Sequence, residues 1–77
     1  MYANFIEYVV KSMVDHPEDV TVSEQQDSNA VLVDVRVNEQ DMGRVIGKNG
    51  RVVNALRTLV QILGTKHDAR VSLEIHT

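Results

Sequence analysis

Two glycines three positions apart interrupt an otherwise helical pattern in the second half of the chain. Gly47 and Gly50 enclose Lys48 and Asn49, and apolar residues lie at helical spacing on both sides of these four. Glycine has no Cβ and tolerates positive φ, so such a tetrapeptide forms a tight turn whose backbone another molecule can approach closely. The pattern therefore predicts two helices joined by a tight turn.

Positive charge surrounds this turn. Arg44 precedes it, Lys48 lies inside it, and Arg51 follows it at the start of the next helical pattern. Backbone amides at the start of a helix, together with cationic side chains, favour the binding of a phosphate group. Most Gly-x-x-Gly tetrapeptides are ordinary turns, however, so these residues alone are weak support for phosphate binding.

The distribution of charge along the chain supports a negatively charged ligand only in combination with a more specific signal. The chain has 77 residues and a net charge of −3. Residues 1–42 contain two basic and nine acidic side chains, whereas residues 43–77 contain six basic and two acidic ones. The second part therefore has a positive balance that suits a polyanion, although small domains can differ in this way by chance.

The first half of the sequence predicts a helix and a β-hairpin. Apolar residues at helical spacing, followed by Pro17, place an N-terminal helix within residues 1–15. Alternating apolar and polar residues predict strands over 19–25 and 30–37, separated by a polar turn at 26–29. The second strand has four valines on one face, which suits a sheet that packs against helices.

The second half predicts a helix–turn–helix unit over residues 38–64 and a last strand. Asn38 is suited to cap the first, short helix, with acidic Asp41 in its positive first turn. The second helix starts at Arg51, and Gly64 is suited to end it in a left-handed conformation. Alternation over 71–76 then predicts the third strand.

Together these elements predict one α+β domain over residues 1–77, with the order α-β-β-α-α-β. The connection from the second to the third strand is long enough for the third strand to return parallel. A three-stranded mixed sheet with three helices packed on one face follows. Aliphatic residues and methionine must supply most of the core, because the aromatic residues are only Tyr2, Phe5 and Tyr8 and cysteine is absent.

The run from Val45 to Val53, an apolar residue followed by Ile-Gly-x-x-Gly and a new helix, resembles the signature of KH domains. The order of elements is similar to the bacterial, type II arrangement of that family, and the resemblance extends over essentially the whole chain. It implies binding of single-stranded RNA, whose sugar-phosphate backbone the Gly-x-x-Gly turn clamps. The residues that the resemblance assigns to RNA binding are Arg44, Ile46, Gly47, Lys48, Asn49, Gly50 and Arg51.

The resemblance also implies an apolar groove for the bases. Val37, Val45, Ile46 and Val53 are its candidate lining residues, although for each one a place in the core is the stronger interpretation. No aromatic residue lies near the turn, so we expect weak binding that depends mainly on the RNA backbone. Nothing in the sequence distinguishes RNA from single-stranded DNA.

Small bacterial KH proteins are expected to act as homodimers or as heterodimers with a larger KH protein, in post-transcriptional regulation or as RNA chaperones. A protein-interaction module is therefore the alternative function, with the aromatic-bearing first helix as a candidate interface. An enzyme is not expected, because the three histidines have no ligand spacing and no catalytic set is present. We predict no catalytic residue, no metal and no cofactor. The absence of a membrane-length apolar run or a signal-peptide pattern predicts a cytoplasmic protein.

Overall fold

The structure is a computed structural model that describes residues 2–77, so that Met1 lies outside the described part. The helices are α1 (Tyr2–Met13), α2 (Met42–Ile46) and α3 (Arg51–Lys66), and the strands are β1 (Thr21–Asp27), β2 (Ala30–Arg36) and β3 (Arg70–His76). Short 3-10 turns at Pro17–Asp19, Glu39–Asp41 and Lys48–Gly50 precede β1, α2 and α3. The predicted order of elements is confirmed.

The three strands form one mixed sheet in the order β1-β2-β3. β1 pairs with β2 in the antiparallel direction, and β2 pairs with β3 in the parallel direction. Val33 of β2 lies opposite Leu73 of β3, so that the apolar positions of the two strands fall on the same face. This arrangement confirms the predicted parallel return of the third strand.

The core lies between this apolar face and the helices. Val31, Val33 and Val35 of β2 are all buried, and so is Val37 directly after the strand. Ile6 and Val10 of α1 and Val60 of α3 are completely buried against the same cluster. The other face of the sheet contacts solvent and carries polar side chains, which is the consequence of strict alternation along β2.

The hairpin differs from the prediction in its boundaries. β1 runs over Thr21–Asp27 instead of 19–25, and the turn consists of Ser28 and Asn29 alone. Pairing continues to the opposed residues Asp27 and Ala30. The polar end of β1 joins the strand because its backbone bonds to β2 while its side chains stay in water. Ser28 turns the chain with a φ of 58°, so the turn needs only two residues.

Gly64 does not end the third helix, contrary to the prediction. α3 continues to Lys66, and the residue with positive φ after it is Asp68, at 55°. The glycine is needed for close packing instead, because a Cβ at Gly64 would lie 2.6 Å from Val71 Cγ2 and 2.7 Å from the Ala69 carbonyl oxygen. The absence of a side chain at this position lets the start of β3 lie directly against the helix.

Leu59 fits the apolar helical spacing of α3, but its side chain is 45% exposed. Ile62, three residues later on the same helix, is 61% exposed. In α1, which contacts α3, Phe5 and Tyr8 are also exposed. Both helices therefore present apolar side chains to solvent in addition to those in the core. No helix within residues 2–77 is both long and apolar enough to cross a membrane.

Candidate nucleic-acid interface

The Gly-x-x-Gly turn joins α2 to α3 through three residues with positive φ. The φ angles are 78° at Gly47, 59° at Asn49 and 75° at Gly50. The Gly50 N–H donates to the Gly47 carbonyl oxygen at 3.1 Å and closes the turn. Asparagine is among the few residues with a side chain that tolerate the left-handed region. The predicted tight turn between two helices is therefore present.

The two glycines are required for different reasons. Gly47 combines its positive φ with a ψ of 172°, a region essentially restricted to glycine. A Cβ at Gly47 would lie 2.5 Å from Val52 Cγ2 and 2.8 Å from the Val52 backbone nitrogen. At Gly50 the nearest atom to an added Cβ would be Asn54 Nδ2, at 3.5 Å. The missing side chain at Gly47 is therefore required by close packing, whereas Gly50 has room for a Cβ and is favoured for its left-handed conformation.

The start of α3 carries a partial positive charge that no side chain neutralises. Its N-cap is Gly50, and no side-chain hydrogen bond caps the first turn. The Arg51 N–H donates to the Lys48 carbonyl oxygen within the turn. The amides of Lys48 and Asn49 take no part in the turn's internal hydrogen bonds. An anion at this end of a 16-residue helix would meet the favourable end of the helix dipole.

The three cations around the turn differ in availability. Lys48 and Arg51 are exposed, and neither forms an ion pair within the described part of the chain. Arg44 Nη2 lies 3.5 Å from Asp15 Oδ2. Both of these side chains are more than half exposed, so the pair is worth little and is screened by salt. Lys48 and Arg51 are therefore free for phosphate, whereas Arg44 must first leave a weak partner.

The apolar candidates for the groove separate into two groups. Val37 and Val45 are buried in the core, so they offer no surface to a base. Ile46 and Val53 are only partly buried. Val53 packs against the core, whereas Ile46 is not among the side chains that do so. Ile46, at the end of α2, is therefore the apolar side chain of the predicted set that a ligand at the turn can reach most directly.

A buried carboxylate that the sequence did not reveal holds α2 in place. Asp41 was expected in the positive first turn of the short helix, and its side chain is only 1% exposed. Its Oδ1 and Oδ2 accept the backbone N–H groups of Asp15 and His16 at 3.1 and 3.0 Å. Hydrogen bonds to a charged group are each worth about 1.5–3 kcal/mol. Asp41 thus ties the chain after α1 to the helix that leads into the Gly-x-x-Gly turn.

Two further polar side chains lie beside the turn. Arg57 Nη1 donates to Asn54 Oδ1 at 3.1 Å, and Arg57 Nη2 donates to the Leu73 carbonyl oxygen at 3.2 Å. Asn54 is also the nearest neighbour of Gly50, since its Nδ2 would lie 3.5 Å from a Cβ at that glycine. Asn54 and Arg57 are three residues apart, which is the spacing of neighbours on one side of a helix. This spacing does not predict the contact between Arg57 and β3.

The other surface features of residues 2–77 lie away from the turn or lack the side chains for a metal site. A shallow cleft lined by Gln61, Thr65 and residues 69–72 lies at the opposite end of α3 from the turn. Within residues 2–77, no three histidine or acidic side chains are close enough together to hold a metal ion. The cluster of cations, amides and open backbone at the Gly-x-x-Gly turn is therefore the strongest candidate site.

Comparison with known proteins identifies relatives over nearly the whole chain. The family model "KhpA/KhpB, KH domain" matches residues 3–75. The protein named RNA-binding protein KhpA from Listeria monocytogenes is 46% identical over 67 residues, which is 87% of this chain and 88% of that protein. The protein of the same name from Halalkalibacterium halodurans is 44% identical over 70 residues, or 91% of this chain and 92% of the relative.

Solved structures with the same fold are more distant in sequence. Era from Aquifex aeolicus, bound to GDP and AlF4−, has a TM-score of 0.61 and 16% identity over 97% of this chain. Era in complex with MgGDPNP and nucleotides 1506–1542 of 16S ribosomal RNA has a TM-score of 0.56 and 14% identity, also over 97% of this chain. This chain corresponds to 29% of each Era chain, so the likeness concerns the fold of one part of Era.

These findings confirm the resemblance on which the sequence analysis relied. They also agree with the expectation that the chain is not an enzyme, because its relatives are named as RNA-binding proteins. The family match includes α2, α3 and the turn between them, together with β1, β2 and nearly all of β3. The α+β fold, the Gly-x-x-Gly turn and the relatives together show that this chain belongs to the KhpA/KhpB family of KH domains.

Proposed function

We propose that this protein, as a single KH domain over residues 1–77, binds single-stranded RNA by clamping the sugar-phosphate backbone at its Gly-x-x-Gly turn. The contacting residues are Arg44, Ile46, Gly47, Lys48, Asn49, Gly50 and Arg51. Its relatives are named as RNA-binding proteins, which supports RNA as the ligand. The function is that of a cytoplasmic post-transcriptional regulator or RNA chaperone.

The observation that carries this proposal is the coincidence of three features at one turn. The cations Lys48 and Arg51 are exposed and unpaired within residues 2–77. The start of α3 has no side-chain cap. Gly47 and Gly50 present backbone without side chains at the turn. Each feature favours a phosphate group, and a strand of linked phosphates can contact all three.

A salt titration tests the clamp. Each phosphate contact should contribute a slope of about −0.7 to log K against log salt concentration for a single strand. Contacts by Lys48 and Arg51, with Arg44 as a third, predict a slope of about −1.4 to −2. The measurement is fluorescence anisotropy with a labelled single-stranded RNA at several salt concentrations. A slope near zero would show that phosphate contacts do not hold the RNA, and the clamp would be wrong.

The proposal includes assembly as a homodimer or with a KhpB-like KH protein. One small turn with two free cations offers little binding energy, so two linked sites would raise the overall affinity. The exposed apolar side chains Leu59 and Ile62 on α3, and Phe5 and Tyr8 on α1, support an interface formed by these two helices. This surface is also the observation that favours the alternative function, in which protein association comes first and RNA binding is secondary.

The dimer can be tested by charging the most exposed aliphatic side chain of this surface. Ile62→Asp should convert a dimer into a monomer of 8.6 kDa, the mass of one chain, because an aspartate in an apolar interface loses hydration without gaining a partner. Sedimentation velocity measures the mass. Gln61→Asp, at an exposed polar position of the same helix, is the control and should leave the mass unchanged. A wild-type chain that is monomeric at high concentration would contradict the homodimer.

A further inference from the structure

One side chain of the Gly-x-x-Gly turn lies next to a backbone nitrogen with which it can react. Asn49 is followed by Gly50, and no other asparagine in the chain precedes a glycine. The backbone nitrogen after an asparagine can attack the side-chain amide carbon and close a cyclic imide. Glycine favours this attack because it has no Cβ to obstruct the approach of its nitrogen. The turn therefore contains the dipeptide in which asparagine loses its amide most readily.

The surroundings of Asn49 leave its side chain free for this reaction. The residue is exposed, and within residues 2–77 its side-chain amide forms no hydrogen bond. Asn38, by contrast, is held on both sides, since it accepts the Gln40 N–H at 2.8 Å and donates to Asp19 at 2.9 Å. The Asn49 amide can thus rotate toward the Gly50 nitrogen without losing a partner.

The closed turn engages the Gly50 nitrogen, so the reaction starts from an opened turn. The Gly50 N–H donates to the Gly47 carbonyl oxygen at 3.1 Å, and Asn49 has a φ of 59° and a ψ of 26°. A single hydrogen bond between neutral groups contributes little net stability. Opening also releases Asn49 from the left-handed region, which is unfavourable for a residue with a side chain. Both effects favour local opening of the turn while the rest of the domain stays folded.

Positive charge at the turn favours the attack once the turn has opened. Negative charge develops when the Gly50 N–H loses its proton and when its nitrogen adds to the side-chain carbonyl of Asn49. Lys48 and Arg51 flank this dipeptide, and neither forms an ion pair within the described part of the chain. The start of α3 adds its partial positive charge. The groups that suit a phosphate therefore also stabilise the charge that arises in this reaction.

From these features we propose that Asn49 is a site of spontaneous deamidation, and that its conversion weakens RNA binding at the turn. The Gly50 nitrogen forms a bond to Asn49 Cγ, while the side-chain NH2 and the Gly50 N–H proton leave together as ammonia. Water then opens the cyclic imide. Addition of water to the side-chain carbonyl gives aspartate, and addition to the main-chain carbonyl gives isoaspartate, in which the backbone runs through Cγ. The net reaction exchanges water for ammonia and needs no oxidant or cofactor.

Both products place a negative charge where a phosphate of the bound strand would lie. The loss of affinity rests on the proposed function, whereas the conversion of Asn49 does not. Aspartate should weaken RNA binding roughly fivefold, which is the effect of one charge contact in water. Isoaspartate also lengthens the main chain between Lys48 and Gly50, so it should distort the turn and weaken binding further. Bound RNA should slow the conversion, because a clamped strand holds the turn closed.

The test incubates the full chain at mildly alkaline pH, with and without a saturating single-stranded RNA. Peptide mapping by mass spectrometry measures the conversion of each asparagine, and fluorescence anisotropy measures the RNA affinity before and after. Asn29 is the internal control, because it is an exposed turn residue that precedes Ala30 instead of a glycine. Asn49 should convert while Asn29 stays intact, and the converted protein should show the loss of affinity.

Asn49→Ser removes the reactive amide, and Ser28 shows that a serine in this chain adopts a φ of 58°. This variant should keep its own initial RNA affinity throughout the incubation, and circular dichroism monitors its folding. Conversion of Asn49 no faster than that of Asn29, or converted protein that binds RNA as well as fresh protein, would overturn the inference. Fresh wild-type protein that does not bind RNA would instead overturn the proposed function. A rate of conversion that RNA leaves unchanged would show that the strand does not contact the turn.

Discussion

Replacing Lys48 and Asn49 together by aspartate should abolish RNA binding while the domain stays folded. The change removes one positive charge and adds two negative ones at the turn, where phosphates would lie. Each charge contact at about 4 Å is worth about 1 kcal/mol even in water, so three such changes cost about 3 kcal/mol, or roughly a 100-fold loss of affinity. Both positions are exposed, and aspartate tolerates the left-handed conformation of residue 49.

A matched control places the same change of charge at the other end of α3. Thr65→Asp combined with Lys66→Asp alters two exposed residues far along the helix from the turn and should retain most of the RNA affinity. Anisotropy gives the affinity, and sedimentation gives the oligomeric state. If the Lys48/Asn49 variant bound RNA as well as the control, the clamp would be wrong. If instead it lost the dimer, the turn would belong to the subunit interface.

Gly47→Ala should unfold the domain or come close to doing so. An alanine Cβ would lie 2.8 Å from the Val52 backbone nitrogen, and backbone cannot move aside as the end of a flexible side chain can. The combination of φ 78° and ψ 172° adds conformational strain for any residue but glycine. Strain and overpacking each cost about 1–3 kcal/mol. Their sum is a large part of the stability of a small domain, which is about 5–15 kcal/mol.

Two other glycines provide the comparison. Gly50→Ala meets no atom closer than 3.5 Å and should cost only about 1–2 kcal/mol, for its left-handed conformation. Gly43→Ala lies in α2, where an added Cβ has nothing within 4 Å, and should stabilise the domain by up to about 1 kcal/mol. Urea unfolding followed by circular dichroism measures all three. A Gly47→Ala midpoint equal to that of Gly50→Ala would refute the steric argument.

The largest parts of the fold could be predicted because their signals are local and repeated. Four alternating valines over residues 31–37 mark a strand with one buried face, and each of them is buried. The apolar spacing before Pro17 and after Gly50 predicted α1 and α3, which end within three residues of the predicted boundaries. Such patterns identify helices and strands because a buried face recurs at every turn of a helix and at every second residue of a strand.

The errors share a different origin. Gly64 has the residue type of a helix end, yet the helix passes through it, because the close approach of β3 is what excludes a side chain there. Asp41 has the position of a first-turn acid, yet its carboxylate is buried. It accepts the backbone N–H groups of two residues that precede it by 26 and 25 positions. Leu59 fits the apolar spacing of α3 but lies beyond the edge of the core. Each depends on a contact with a distant part of the chain.

The sequence by itself determined the order of the elements, the faces they bury and the place of a cationic Gly-x-x-Gly turn. These follow from residue type and spacing, which act locally. Only the tertiary structure decided which glycine is required by close packing and which has room for a side chain, since the answer depends on where Val52 and Asn54 lie around them. It also decided that Arg57 is held between Asn54 and Leu73. The reason is physical: a hydrogen bond or a steric exclusion between residues far apart in sequence exists only once the sheet and the helices have packed together.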